Sequence, residues 1–264
     1  MSTQKSLIKL EGNMGGISFY YSDGKFLARM ANGPTKDRIE KDPAFKRTRE
    51  NNMEFGGAAK AAKSFRRALS GILQSMADSR LTARLTKLFK MINLKGAGKR
   101  GQRIIELTAN RDILANFNLN KDLSFTSVFP VPYTVTNNVD RNEATVEIPN
   151  FVPGDLIKAP AGATHFKMVA ALGVVSDYSF NASTKEYEAL KPALDGISAV
   201  EHGAATALDS AGCTFTLTVA LPGTPAMNNK VSVVLCLGIE FYQIVDSQYY
   251  LFAQDNAMMV VSVF

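Results

Sequence analysis

Residues 165–175 read His-Phe-Lys-Met-Val-Ala-Ala-Leu-Gly-Val-Val, and residues 230–241 read Lys-Val-Ser-Val-Val-Leu-Cys-Leu-Gly-Ile-Glu-Phe. Short apolar runs rich in Val, Ile, Leu and Phe suit strands, and they fall well below the roughly 18 to 20 apolar residues of a membrane-spanning helix. Similar or alternating runs occupy 103–107, 124–129, 144–148, 214–221, 248–252 and 257–264. Pro130, Pro132, Pro149, Pro153, Pro160, Pro192, Pro222 and Pro225 punctuate the joins. The pattern predicts an antiparallel β-sandwich of about seven or eight strands. Residues 184–207 interrupt it with a polar, small-residue insertion whose structure the pattern leaves open.

Toward the N-terminus the periodicity changes. Residues 17–29 form two strand-like runs around Asp23-Gly24, a dipeptide that tolerates the positive φ angles of a tight hairpin, and Asn32-Gly33-Pro34 predicts a turn after it. An isolated hairpin is marginal in water, so this one must pack on something. Residues 35–52 alternate both charge signs and read as a partly helical connector. Phe55, Ala59, Ala62, Phe65, Leu69, Ile72 and Met76 then recur at steps of three and four, the apolar face of one long helix. Asp78 is a suitable N-cap for a second helix with Leu81, Leu85, Leu88 and Ile92 inward and Arg80, Arg84 and Lys87 outward. The two form a helical hairpin with one cationic side. A glycine-rich basic stretch at 94–101 closes this part, which places the domain boundary near residue 103. The expected fold class is α+β: a hairpin-plus-helices module over 1–102, then a β-sandwich over 103–264.

The chain has 264 residues, 46% hydrophobic and 20% charged, with 16 Phe and 8 Tyr, so it can bury a sizeable core and is not dominated by disorder. Its net charge of +6 hides a division. Residues 1–111 carry 23 Lys and Arg against 9 Asp and Glu, a balance of +14, whereas 112–264 carry 7 against 15, a balance of −8. Such a split bears on partners. The basic front could bind nucleic acid, dock on the acidic back of a neighbouring copy, pair with the acidic half of its own chain, or carry solvated helix faces. The N-terminus shows no apolar signal segment, and Cys213 and Cys236 sit in strand-like surroundings that suit buried free thiols. A cytoplasmic protein is the expectation.

No motif identifies a reaction. Gly96-Ala97-Gly98-Lys99 lacks the spacing and the following Ser or Thr of a phosphate loop, and its alternative is a flexible basic connector. His165 and His202 have no ligand-spaced Cys, Asp or Glu, so no metal site is expected. The carboxylate pairs Glu143 with Glu147 and Glu186 with Glu188 fit a solvated strand or loop face. No cofactor or small-molecule substrate is indicated. The candidate partner or polyanion surface is Lys60, Lys63, Arg66, Arg67, Arg80, Arg84, Lys87, Lys99 and Arg100, with Phe55, Phe65 and Phe89 as the aromatic neighbours. So few aromatics argue against sequence-specific readout.

The residues Gly16-Ile17-Ser18-Phe19-Tyr20, Asp23-Gly24-Lys25, Arg29, Asp42-Pro43-Ala44-Phe45, Arg47-Thr48-Arg49-Glu50-Asn51 and Glu54-Phe55-Gly56 are similar to a group of uncharacterised proteins from Bacteroidota. The resemblance covers roughly the first 70 residues and implies no activity, cofactor or residue role. The expected function is that of a non-enzymatic structural protein that self-assembles head to tail. The alternative is a sequence-nonspecific nucleic-acid-binding protein of virion or nucleoid type. The apolar strand at 257–264 is expected either to complete its own sheet or to pair with another chain's edge.

Overall fold

A computed structural model describes residues 2–31 and 33–264, and the chain divides into two compact units, Met1–Arg49 and Glu50–Phe264. In the first unit, β1 (Ser2–Thr3), β2 (Gly12–Met14), β3 (Ile17–Ser22) and β4 (Lys25–Met30) form one antiparallel sheet of order β1-β4-β3-β2. Ser22 pairs with Lys25 across Asp23 and Gly24, whose φ angles of 50° and 76° suit a two-residue type I′ turn. The expected hairpin is therefore the centre of a four-stranded sheet. Of the turn expected at 32–34, Asn32 lies outside the described residues. The connector is helical in part, as α1 (Lys36–Lys41), capped by the Thr35 hydroxyl, and a 3₁₀ turn at Pro43–Phe45. Arg49 donates to the carbonyls of Ile39 and Asp42, both at 2.8 Å, and fastens this segment. None of the described residues of the first unit is buried.

The long helix α2 (Lys46–Ala68) buries Glu54, Ala58, Ala61, Phe65 and Ala68 at alternating steps of four and three. Phe55 lies off this stripe and is 54% exposed, unlike the expectation. The helix also stops at Ala68 instead of running to Met76. Ser70 and Gly71 are poor helix formers, and the chain passes through tighter bonds, such as Ile72 N–H to Leu69 O, before the single turn α3 (Leu73–Met76). Leu69, Ile72 and Met76 stay buried all the same. In α4 (Leu81–Lys95), Leu81, Leu85, Phe89 and Ile92 are buried and Leu88 is half-buried, so Phe89 replaces Leu88 in the inward row. Asp78 accepts from the Arg80 N–H at 2.6 Å just ahead of the helix.

The remaining elements are α5 (Phe125–Val128), β5 (Thr134–Asn137), β6 (Glu143–Phe151), α6 (Pro153–Leu156), β7 (His165–Ser176), β8 (Tyr178–Asn181), β9 (Glu186–Ala189), β10 (Ser198–His202), β11 (Thr206–Ala207), β12 (Cys213–Ala220), β13 (Val231–Val245), β14 (Gln248–Leu251) and β15 (Ala257–Val263). A six-stranded sheet has β7 and β13 at its centre, with β10 and β11 on β7 and with β14 and β15 on β13. It faces a three-stranded sheet of order β12-β6-β5, and β8 and β9 form a separate hairpin. All the pairings are antiparallel, and the fold is α+β.

Two cores share the large sheet. Phe166, Met168, Leu172 and Val174 of β7 and Val233, Leu235 and Leu237 of β13 pack against Val146 and Ile148 of β6 and Leu217 and Val219 of β12. The alternate residues Val169, Ala171, Val175, Val234 and Cys236 face Ala58, Ala61 and Phe65 of α2 and Leu85, Phe89 and Ile92 of α4. A strand covered on both faces needs apolar residues at every position, which is why 165–175 and 230–241 lack alternation. The helices approach closely: a Cβ on Gly173 would stand 2.8 Å from the Ala68 Cβ.

This layering moves the expected boundary. The helices cover the second face of the sheet, so a division at 102/103 would cut through a shared core, and the chain divides at Arg49/Glu50 instead. Residues 103–107 supply one isolated bridge, Ile105 to Tyr178, and no strand. Residues 124–129 hold the helical turn α5 instead of a strand, and Phe125 and Phe129, at i and i+4, meet with tilted rings whose centres are 5.5 Å apart. The insertion at 184–207 contributes β9, β10 and β11, two of which are edge strands of the large sheet. The C-terminal strand completes its own sheet. Phe264 exchanges backbone bonds with Val233, and the far edge of β15 is met by Asn116, Phe117 and Leu119.

Candidate functional site

The glycine-rich basic stretch is held from beneath. Glu54, 1% exposed, accepts from Lys90 Nζ at 2.5 Å, from Arg103 Nε at 2.8 Å and from the Gly101 N–H at 2.8 Å. Burial alone would raise this carboxyl, but the bonds from Arg103, Lys90 and Gly101 outweigh it and hold the pKa down at about 2. Gly101 has φ 93°, and a Cβ on Gly96 would lie 1.9 Å from the Ile104 carbonyl oxygen. The stretch is therefore a pinned loop and not the flexible connector expected. It displays Lys99 and Arg100 to solvent, Arg100 lying 3.7 Å from Glu50.

Arg84 is not part of an outward cationic face. It forms an ion pair with Asp78, donates to the carbonyls of Asn118 and Leu119, and lies 4.6 Å over the Phe117 ring. Its role is to fasten residues 117–119, which border β15, to the start of α4. Arg80 and Lys87 are exposed on α4.

On α2, Lys60, Lys63 and Arg67 recur along one flank, whereas Arg66 points about 100° round the helix from Arg67, with its Nε buried and unbonded among the described residues. The expected single cationic side is thus broken into separate places, because successive helix positions face different neighbours. Lys60, Lys63, Ser64 and Arg67 line a cavity of about 440 Å³ with Tyr178, Tyr187, Glu188, Ala189, Pro192 and Asp195. Asp195 accepts from Ser64 Oγ and Tyr178 OH, each at 2.6 Å, and from the Ser176 N–H at 2.8 Å. Lys60 reaches Glu186 at 2.5 Å and the Tyr187 carbonyl at 3.1 Å. The Tyr187 ring seats on Gly57, where a Cβ would come within 2.5 Å, and its hydroxyl donates to Arg103 O at 2.9 Å. Burial pushes the Tyr187 phenol up to about 12 and also raises Tyr178, so both are neutral at ordinary pH.

The sequence reading missed Tyr178, Tyr187 and Asp195. Ser64 and Asp195 lie 131 residues apart, and no local pattern joins them. His202 likewise reaches Glu240 Oε2, at 3.6 Å, a carboxylate that also accepts from Tyr242 OH at 2.7 Å. Among the described residues no three His, Cys, Asp or Glu side chains gather as a metal cluster, and no helix is long and apolar enough to cross a membrane. The other feature missed was legible: Leu7, Ile8 and Leu10 form an apolar stretch near the N-terminus, and with Met14, Tyr21 and Met30 they are exposed. Compared with protein-family models, curated proteins and solved structures, the chain matches none, so the likeness noted around Asp42-Pro43-Ala44-Phe45 acquires no family from them.

Proposed function

We propose that the protein is a non-enzymatic structural protein that self-assembles head to tail, the Met1–Arg49 unit of one copy gripping the acidic sandwich side of the next. The observation that carries this reading is a four-stranded sheet with no buried residue and with Leu7, Ile8, Met14, Tyr21 and Met30 exposed. A small sheet without a covered apolar face is marginal in water, and a neighbour's surface supplies the cover. Charge favours a second copy as that neighbour. Residues 1–49 carry 10 Lys and Arg against 5 Asp and Glu, whereas 112–264 carry 7 against 15. Nucleic-acid binding is less well supported, because, of its candidate cations, Lys60, Arg84 and Arg100 lie against Glu186, Asp78 and Glu50.

Light scattering of the full chain across concentration tests the proposal. The mass should rise above 28.7 kDa with concentration and fall with added salt. The double variant Leu7→Ser, Ile8→Ser should stay at the single-chain mass. A lone particle at every concentration, or assembly unchanged by the double variant, overturns the reading.

A further inference from the structure

The cavity between α2 and the β8–β9 hairpin has an uneven charge economy. Both acids that line it are already engaged: Asp195 by three donors, and Glu188 by Asn181 Nδ2 at 2.8 Å and Thr184 Oγ1 at 2.7 Å. Those two bonds hold the Glu188 carboxyl below its ordinary range, so it remains ionised and occupied. Lys60 is spent on Glu186. The two remaining cations, Lys63 and Arg67, have no carboxylate partner among the described residues. They stand four residues apart on α2, so their heads project in nearly the same direction about one turn apart.

The Arg67 side chain borders Gly196, where a Cβ would meet Nε at an ordinary van der Waals separation of 3.8 Å. The planar fork of guanidinium N–H groups on Arg67 matches the geometry of an oxyanion. The volume of about 440 Å³ falls within the usual range for small-molecule sites.

We propose that this cavity binds a compact, multiply charged phosphate-type oxyanion through Lys63 and Arg67. The proposal is independent of self-assembly, since the cavity lies wholly within Glu50–Phe264. Calorimetric titration of the full chain with inorganic pyrophosphate, at ionic strength matched with sodium chloride, tests it. Binding with Kd at or below about 1 mM is expected, weakened at least tenfold by Lys63→Gln or Arg67→Gln and unchanged by Lys87→Gln on α4. Orthophosphate in place of pyrophosphate should bind more weakly at the same site, because it carries less charge. Melting curves establish that the two glutamine variants fold, as expected for exposed positions. No binding at about 10 mM pyrophosphate overturns the proposal, as does binding that Lys87→Gln weakens as much as Arg67→Gln does. A single-stranded oligonucleotide that binds far more tightly, and equally well to both glutamine variants, would also overturn it.

Discussion

Leu235 in β13 and Leu27 in β4 both lie in antiparallel strands, yet Leu235 is fully buried and Leu27 only half-buried. The difference belongs to the sheets. The central strands of Glu50–Phe264 are covered by helices on one face and a second sheet on the other, whereas the sheet of Met1–Arg49 has no residue out of solvent. Backbone pairing is similar in both, so pairing is not what distinguishes them. Apolar burial is the dominant favourable contribution to folding, and it is concentrated in the second unit. The first unit leaves Leu7, Ile8, Met14, Tyr21 and Met30 exposed.

Removing the Glu54 carboxylate tests the second unit hardest. Glu54→Gln leaves Lys90 and Arg103 without their common partner and should cost about 3–5 kcal/mol in urea unfolding. The same group makes stability depend on acid. Its folded pKa is held down at about 2 against an ordinary glutamate value of 4.5, so its contribution is complete above about pH 4.5 and disappears as pH falls toward 2. That contribution is roughly 3 kcal/mol, and acid titration of Glu54→Gln should show a correspondingly flatter loss over this window. A variant as acid-sensitive as the parent would remove Glu54 from this role.

Matched leucine truncations sharpen the contrast between the units. Leu235→Ala should lower the stability of the main unfolding transition by about 2–5 kcal/mol through loss of burial and a residual cavity. Leu27→Ala should move the same transition by less than about 1 kcal/mol. Equal effects would mean that the two sheets draw on one core. Adjacent glycines in α2 should respond in opposite senses. Gly57→Ala drives a methyl into the Tyr187 ring and should destabilise by about 1–3 kcal/mol, whereas Gly56, with open space around it, should gain up to about 1 kcal/mol from the same change. Thermal melts of the two variants should therefore shift in opposite directions.

The sequence by itself determined the features that depend on near neighbours: the Asp23-Gly24 hairpin, the existence of two amphipathic helices, most of the long strands and the antiparallel α+β class. Each follows from steric limits and side-chain periods within about ten residues. Tertiary structure decided how these pieces are covered. It made the helices and the sandwich share one sheet, turned Arg84 from an outward cation into a brace, and brought Asp195 and Tyr178 beside Ser64 to form a cavity. The reason is that a residue's period shows which way it points relative to its own element. What lies opposite is set by chain segments more than a hundred residues away, such as Ser64 and Asp195, and no local pattern records their meeting.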